Sequence, residues 1–198
     1  GKLVYMEGGY TEGDEFIGFG KTALEKAKGI EFIEGDWNRA LEQARQENKL
    51  IFMDCYTSWC GPCKQLARTV FTDPDAANFF NEHFVNLKMD MEKGEGINLK
   101  DRFGVKAYPT LLFINGQGEV VHSLVGAPGL KELIEQAQIA FEGKGLAYAD
   151  AEYQKGNRDP EFIQAYLTYL GNASLSEKAE EVSLDYFATL DKNNLKER

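Results

Sequence analysis

A chain of 198 residues with 43% hydrophobic content is long enough for one ample domain and a smaller module. Its net charge of −10 speaks against nucleic acid as a partner, because phosphate binding needs basic surface. No apolar run approaches the length needed to cross a bilayer, and three cysteines are too few for a disulfide scaffold, the odd count leaving at least one thiol unpaired.

Residues 1–29 read as an N-terminal arm, since Gly8, Gly9, Gly13, Gly18 and Gly20 sit among acids and aromatics; only Thr22 to Lys28 suggests a helical turn. The arm opens on Gly1 rather than methionine, which sets the expectation that a signal peptide or a tag preceded it. Ile30 to Ile33 reads as a first strand. Gly35-Asp36 then gives a turn and a helix N-cap, after which Trp37, Ala40, Leu41 and Ala44 recur at helical spacing, with Trp37 as a core residue. Asn48-Lys49 ends that helix. Leu50 to Tyr56 is apolar on both faces, as a central strand covered by helices should be. Asp54 breaks this run, and a carboxylate in a buried strand is costly unless hydrogen-bonded or neutralised. Cys55 shares a face with Ile51 and Met53 and is read as a buried structural thiol.

Trp59-Cys60-Gly61-Pro62-Cys63-Lys64 follows directly. Two residues between cysteines, folded as the first turn of a helix, bring both sulfurs into disulfide range. The same turn aims unpaired N–H groups and the positive helix end at Cys60, favouring its thiolate. Pro62 suits a first turn, which tolerates a missing N–H, and Gly61 leaves the approach to Cys60 open. Paired cysteines can also form half of a zinc site, but the remaining candidates, Cys55, His83 and His122, are scattered singly, so no metal is expected. Leu66, Ala67 and Val70 carry the helix inward. Asp73-Pro74 starts another, with Ala76, Ala77, Phe79, Phe80 and Phe84 as its apolar face and His83 partly exposed.

Val85 to Asp90 alternates as a strand, Glu92 to Gly96 is a charged loop, and Ile97 to Phe103 is a short helix stopped by Gly104. Tyr108-Pro109 heads the strand that runs to Ile114, since proline belongs at a first strand residue or a bend. Asn115 to Gly118 makes a hairpin to Glu119–Val125, on which His122 is placed towards solvent. Gly126-Ala127-Pro128 leads to a helix marked by Leu130, Leu133, Ile134, Ala137 and Phe141. Gly143 to Gly145 is a linker. Beyond it a two- or three-helix appendage is expected: a helix near Leu146–Gln154 in the three-helix reading, one capped by Asp159-Pro160 and stopped at Gly171-Asn172, and one with Leu175, Ala179, Val182, Tyr186 and Leu190 on one face. Ser174 to Glu177 has the capping-box pattern.

Trp-Cys-Gly-Pro-Cys-Lys at 59–64, Asp54 six residues before the first cysteine, Tyr-Pro-Thr at 108–110 and Val-Gly-Ala at 125–127 together resemble the thioredoxin family, over about residues 30–142. The resemblance implies an α/β thioredoxin fold, a central mixed sheet with helices on both faces, followed at 143–198 by a C-terminal helical appendage. It implies thiol–disulfide exchange on protein substrates, most simply reduction, with an upstream thiol electron donor and no cofactor beyond the Cys60–Cys63 disulfide. Cys60 would attack, Cys63 would resolve, and Asp54 would handle the proton. Trp59, Gly61, Pro62, Tyr108, a cis Pro109 and Gly126 would form the substrate groove. Tyr108 departs from the small aliphatic residue common in the family. Many members also pair the buried acid with a lysine on the following strand; alignment puts Asn86 there, with Lys88 one same-face step on. Members with such extra segments are often secreted, so a periplasm-like location is expected, with the cytoplasm as alternative. Isomerase or oxidase activity, or a binding role carried by the helical tail, are the competing readings.

Overall fold

The computed structural model describes residues 29–194; the arm's possible turn at Thr22–Lys28 lies outside the described residues. Its elements run β1 (Ile33–Glu34), α1 (Trp37–Glu47), β2 (Leu50–Tyr56), α2 (Gly61–Thr69), α3 (Pro74–His83), β3 (Phe84–Asp90), α4 (Gly96–Phe103), β4 (Thr110–Ile114), β5 (Val120–Val125), α5 (Leu130–Phe141), α6 (Leu146–Gln154), α7 (Pro160–Asn172) and α8 (Ser176–Asn194). The sheet order is β1-β3-β2-β4-β5, with β1, β3 and β2 parallel and β4 and β5 antiparallel to their neighbours.

Strand β2 is the middle strand, and its alternation sorts two cores. Leu50, Phe52 and Asp54 face one side, where Leu66 and Val70 of α2, Ala76 and Phe80 of α3, and Leu133 and Ala137 of α5 pack with Phe113. Ile51, Met53 and Cys55 face the other, under Trp37, Ala40 and Ala44 of α1 and Leu99 of α4. Local chemistry starts and stops these helices as the sequence suggests. Asp36, Asp73 and Asp159 each accept a hydrogen bond from an amide in the following first turn, satisfying donors with no intrahelical partner. Asn48 and Gly104 close α1 and α4 in the left-handed region.

Two boundaries move. The first strand is Ile33–Glu34 rather than Ile30–Ile33, because the Ile30 N–H donates to the Phe71 carbonyl at 2.7 Å and the Glu31 N–H to the Asn81 side chain at 2.9 Å. These residues are held by the ends of α2 and α3 instead of a strand. The capping-box pattern at Ser174–Glu177 is not used as such: Ser174 takes φ 55° and the helix starts at Ser176. Leu175 and Leu190, read as core-facing, are partly exposed.

Helices α6, α7 and α8 enclose a third core of Ala149, Tyr153, Ile163, Tyr166, Leu170 and Val182. Aromatic hydroxyls seal it, Tyr166 donating to Asp150 and Tyr153 to Asp185, each at 2.6 Å. Both α6 and α7 lie against β5.

The joint overturns one expectation: His122 is fully buried rather than facing solvent. The Leu146 N–H, at the start of α6, donates to its Nδ1 at 3.2 Å, so the ring proton is on Nε2, which donates to Gln136 Oε1 of α5 at 2.9 Å. Tyr169 of α7 meets the ring edge-on at 5.4 Å between centroids. A Cβ at Gly145 would lie 2.8 Å from the Val121 carbonyl and 2.9 Å from the His122 Cβ, so glycine is what lets the linker lie this close. Burial pushes the His122 pKa down, opposed by the hydrogen bond to Gln136.

Candidate active site at the end of the central strand

β2 leaves the sheet at Tyr56 and delivers Cys60 as the N-cap of α2. Cys60 and Cys63 form a disulfide, with Cα atoms 5.4 Å apart. The Cys63 N–H donates to Cys60 Sγ at 3.1 Å. That amide and the helix end behind it favour negative charge on this sulfur whenever the disulfide is open. Gly61 and Pro62 occupy the exposed first turn, and a Cβ at Gly61 would meet nothing within 4 Å. Cys63, Leu66 and Val70 share the buried face of α2, which rests on the sheet face that carries Asp54.

Asp54 is 1% exposed, and neither carboxylate oxygen has a protein hydrogen-bond partner. Desolvation pushes its pKa up to about 7, with Lys88 pulling it down and Glu34 adding to the rise. The register places both β3 residues that the alignment singled out. Asn86 pairs with Phe52, whereas Lys88 is the residue opposite Asp54. Asn86 instead turns its amide to the Phe80 carbonyl and the Asn81 side chain. Among the described residues no ion pair forms with Asp54; the Lys88 ammonium lies 5.0 Å over the Tyr56 ring. Cys55 is buried on the opposite sheet face among Met53 and Met89, and burial raises its pKa well above the ordinary thiol value, so the expected structural role fits its position.

The Tyr108–Pro109 peptide bond is cis. Cys55 pairs with Thr110 and Thr110 with Val125, so Pro109 heads β4 at the same sheet end as the dithiol. The Gly126 N–H donates to the Pro109 carbonyl at 2.8 Å. Trp59, 65% exposed, meets Tyr108 edge-on at 6.0 Å and donates from Nε1 to Glu92 Oε2 at 2.9 Å. Tyr108 itself packs towards the core under α1 and α4, and its hydroxyl is buried without a partner. The structure thus gathers Asp54, Trp59, Cys60, Gly61, Pro62, Cys63, Tyr108, Pro109 and Gly126 at one end of the sheet. Sequence reasoning missed Glu92, whose place in a charged loop carries no periodic signal.

Among the described residues no group of three or more His, Cys, Asp or Glu could hold a metal ion, and no helix is long and apolar enough to cross a membrane. A family model described as Thioredoxin-like matches residues 32–116. Thioredoxin H4 of Arabidopsis thaliana is 40% identical over 91 residues, covering 46% of this chain and 71% of that protein. A thioredoxin of Echinococcus granulosus is 34% identical over 108 residues, covering 54% of this chain and 92% of the relative. Among solved structures, a Bacteroides thetaiotaomicron protein proposed to be a disulphide-isomerase is 55% identical with a TM-score of 0.54, covering 60% of this chain and 98% of that one. A thioredoxin from Thermus thermophilus shares the fold at 23% identity and a TM-score of 0.52, covering 58% and 91%.

Proposed function

The chain belongs to the thioredoxin family and is a thioredoxin-like oxidoreductase, and from that premise we propose that it reduces disulfides in other proteins. The observation that carries the reading is the pairing of Cys60 Sγ with the Cys63 N–H at the start of α2, above a buried and unpartnered Asp54. In the dithiol form the Cys60 thiolate attacks one sulfur of a substrate disulfide. A Cys60–substrate bond forms, the substrate S–S bond breaks, and the departing thiolate takes a proton from solvent. Cys63 then gives its proton to the Asp54 carboxylate, whose pKa near 7 suits both directions of transfer. The Cys63 thiolate attacks Cys60 Sγ, releasing the second substrate thiolate and closing the Cys60–Cys63 disulfide. Two electrons have moved to the substrate, and a thiol donor must return them.

Pro109, Tyr108, Trp59, Gly61, Pro62 and Gly126 bound the groove in which the substrate chain lies. Glu92 holds the Trp59 indole in place at its rim. The same reading puts the protein in an exported, periplasm-like compartment; its support is the family resemblance alone, and fractionation of cells expressing the full-length protein tests it.

The redox potential is the deciding measurement. Gly-Pro between the cysteines supports a value near about −270 mV, while a value above about −180 mV would sink the reductase reading. That second outcome would favour isomerase activity, for which the likeness to the Bacteroides protein speaks. A Cys60→Ser variant should lose turnover of a protein disulfide; retained function would assign the chain to partner binding instead.

A further inference from the structure

On the sheet face that carries the dithiol helix, a row of charged side chains runs inward from the short edge strand. β1, β3 and β2 are parallel, so paired residues point the same way: Glu34 is opposite Lys88, and Lys88 is opposite Asp54. One same-face step nearer the dithiol, Tyr56 is opposite Asp90. Glu34 is exposed, Lys88 half-buried and Asp54 buried, so the row leads from water to the acid beneath the disulfide.

Register puts Lys88 on the strand next to Asp54, about 4.8 Å away in the sheet, yet its ammonium does not sit on the acid. It lies 5.0 Å from the centre of the Tyr56 ring, and among the described residues neither Lys88 nor Asp54 is part of an ion pair. The acid's charge state accounts for that choice. A buried carboxyl that keeps its proton carries no net charge, whereas the face of an aromatic ring attracts an ammonium at any pH. Desolvation favours the protonated form of Asp54, and Glu34 adds to this while Lys88 opposes it. The other neighbours leave the lysine to Tyr56. Asp90 is taken by Lys93 at 3.0 Å and by the Glu92 N–H at 3.1 Å, α2 brings Cys63, and β4 places Leu111 opposite Asp54.

Resting on the oxidoreductase reading above, we propose that Tyr56 is a positioning residue for the exchange reaction: its ring seats the Lys88 ammonium while Asp54 holds a proton, and the lysine crosses to Asp54 when that proton leaves. A flexible four-carbon stem that reaches a ring one step along β2 also reaches the position directly opposite, so only side-chain torsions need change. When Cys63 gives its proton to the Asp54 carboxylate, the acid loses its charge and the ammonium returns to the ring. When Asp54 passes the proton to solvent, the lysine neutralises the carboxylate left behind. Tyr56 thereby sets, through Lys88, how readily Asp54 takes the Cys63 proton.

The test follows the Asp54 carboxyl by carbon-13 NMR across pH in the oxidised full chain, where no turnover is needed. The wild type should titrate near about 7. Tyr56→Leu removes the ring and should lower that midpoint by about 0.5 to 1 unit, whereas Tyr56→Phe keeps the ring and should stay within about 0.2 unit of wild type. Lys88→Met should raise the midpoint, and adding Tyr56→Leu to it should give no further shift, because the ring acts only through the lysine. In protein-disulfide turnover, the acid limb of the kcat profile should move to lower pH with Tyr56→Leu and stay in place with Tyr56→Phe. A Tyr56→Leu midpoint equal to that of wild type, or a shift that persists in the Lys88→Met background, overturns the proposal. If the titrations behave as expected but the wild type turns over no protein disulfide, the oxidoreductase reading fails and the catalytic use of the lysine falls with it. Titrations that fail in an active enzyme overturn the role of Tyr56 alone.

Discussion

Asp54 and His122 are two buried titratable side chains on the same face of one sheet, yet the fold treats them in opposite ways. His122 has both ring nitrogens engaged, by Leu146 and Gln136, and an aromatic edge against it. Asp54 has neither oxygen engaged by protein, and Thr57 Oγ1 and the Tyr108 hydroxyl share that condition at the same end of the sheet. Fully satisfied polar groups rigidify a joint, whereas orphaned ones cost stability and call for another reason to be there. The tail end of the molecule spends its polar groups on holding two helical layers together. The dithiol end leaves a carboxyl group desolvated, its pKa raised to about 7.

Breaking the joint should have the largest effect. His122→Leu keeps the bulk but leaves the Leu146 N–H and the Gln136 Oε1 buried and unpaired, so denaturant unfolding should show a loss of about 3 kcal/mol. A loss below about 0.5 kcal/mol would mean that water replaces both bonds and that the joint is wet. The contrast with Asp54→Asn is then direct. That variant should be slower in turnover by about 10-fold or more, and more stable than wild type by about 2 kcal/mol above pH 8, where wild type must carry the buried charge. Wild-type rate together with unchanged stability would show that Asp54 is hydrated and that solvent takes the Cys63 proton.

The two pH dependences are opposite in sign. Asp54 has a folded pKa of about 7, above its unfolded value, so its favourable contribution is complete below the unfolded pKa and is lost as pH rises through about 7. His122 has a depressed folded pKa, so its contribution is present above the unfolded value near 6.5 and is lost as pH falls below it. The stability difference between Asp54→Asn and wild type should therefore widen from about pH 4 to 7 and then level off, with a slope of at most about 1.4 kcal/mol per pH unit. The deficit of His122→Leu should shrink below about pH 6.5. Parallel curves for either variant would assign the pH dependence to other groups.

Most of the fold could be read from the chain because its signals are local: caps at Asp36, Asp73 and Asp159, stops at Asn48 and Gly104, and a dithiol between strand and helix. His122 could also have been read. It shares strand parity with Leu124, which is buried opposite Leu111, and alternation alone places both inward. Lys88 is a harder case, since the offset between two parallel strands is set by how their helices pack and not by either strand. Ser174 shows a local pattern losing to its surroundings. The Ser-x-x-Glu signal is present, but the turn after α7 puts Ser174 at positive φ and so removes it from the cap position.

The short β1 and the helices along β5 have a shared consequence for the sheet as a whole. A sheet has two outermost strands, and each presents unpaired amides and carbonyls that could recruit a strand from another molecule. Here one of them is cut to two residues, and the backbone just before it is occupied by Phe71 and Asn81. The other lies under α6 and α7, with Gly145 pressed against the Val121 carbonyl. Among the described residues, one margin of the sheet is thus short and the other is packed against the helical tail, which leaves less free backbone for a strand of another molecule to pair with.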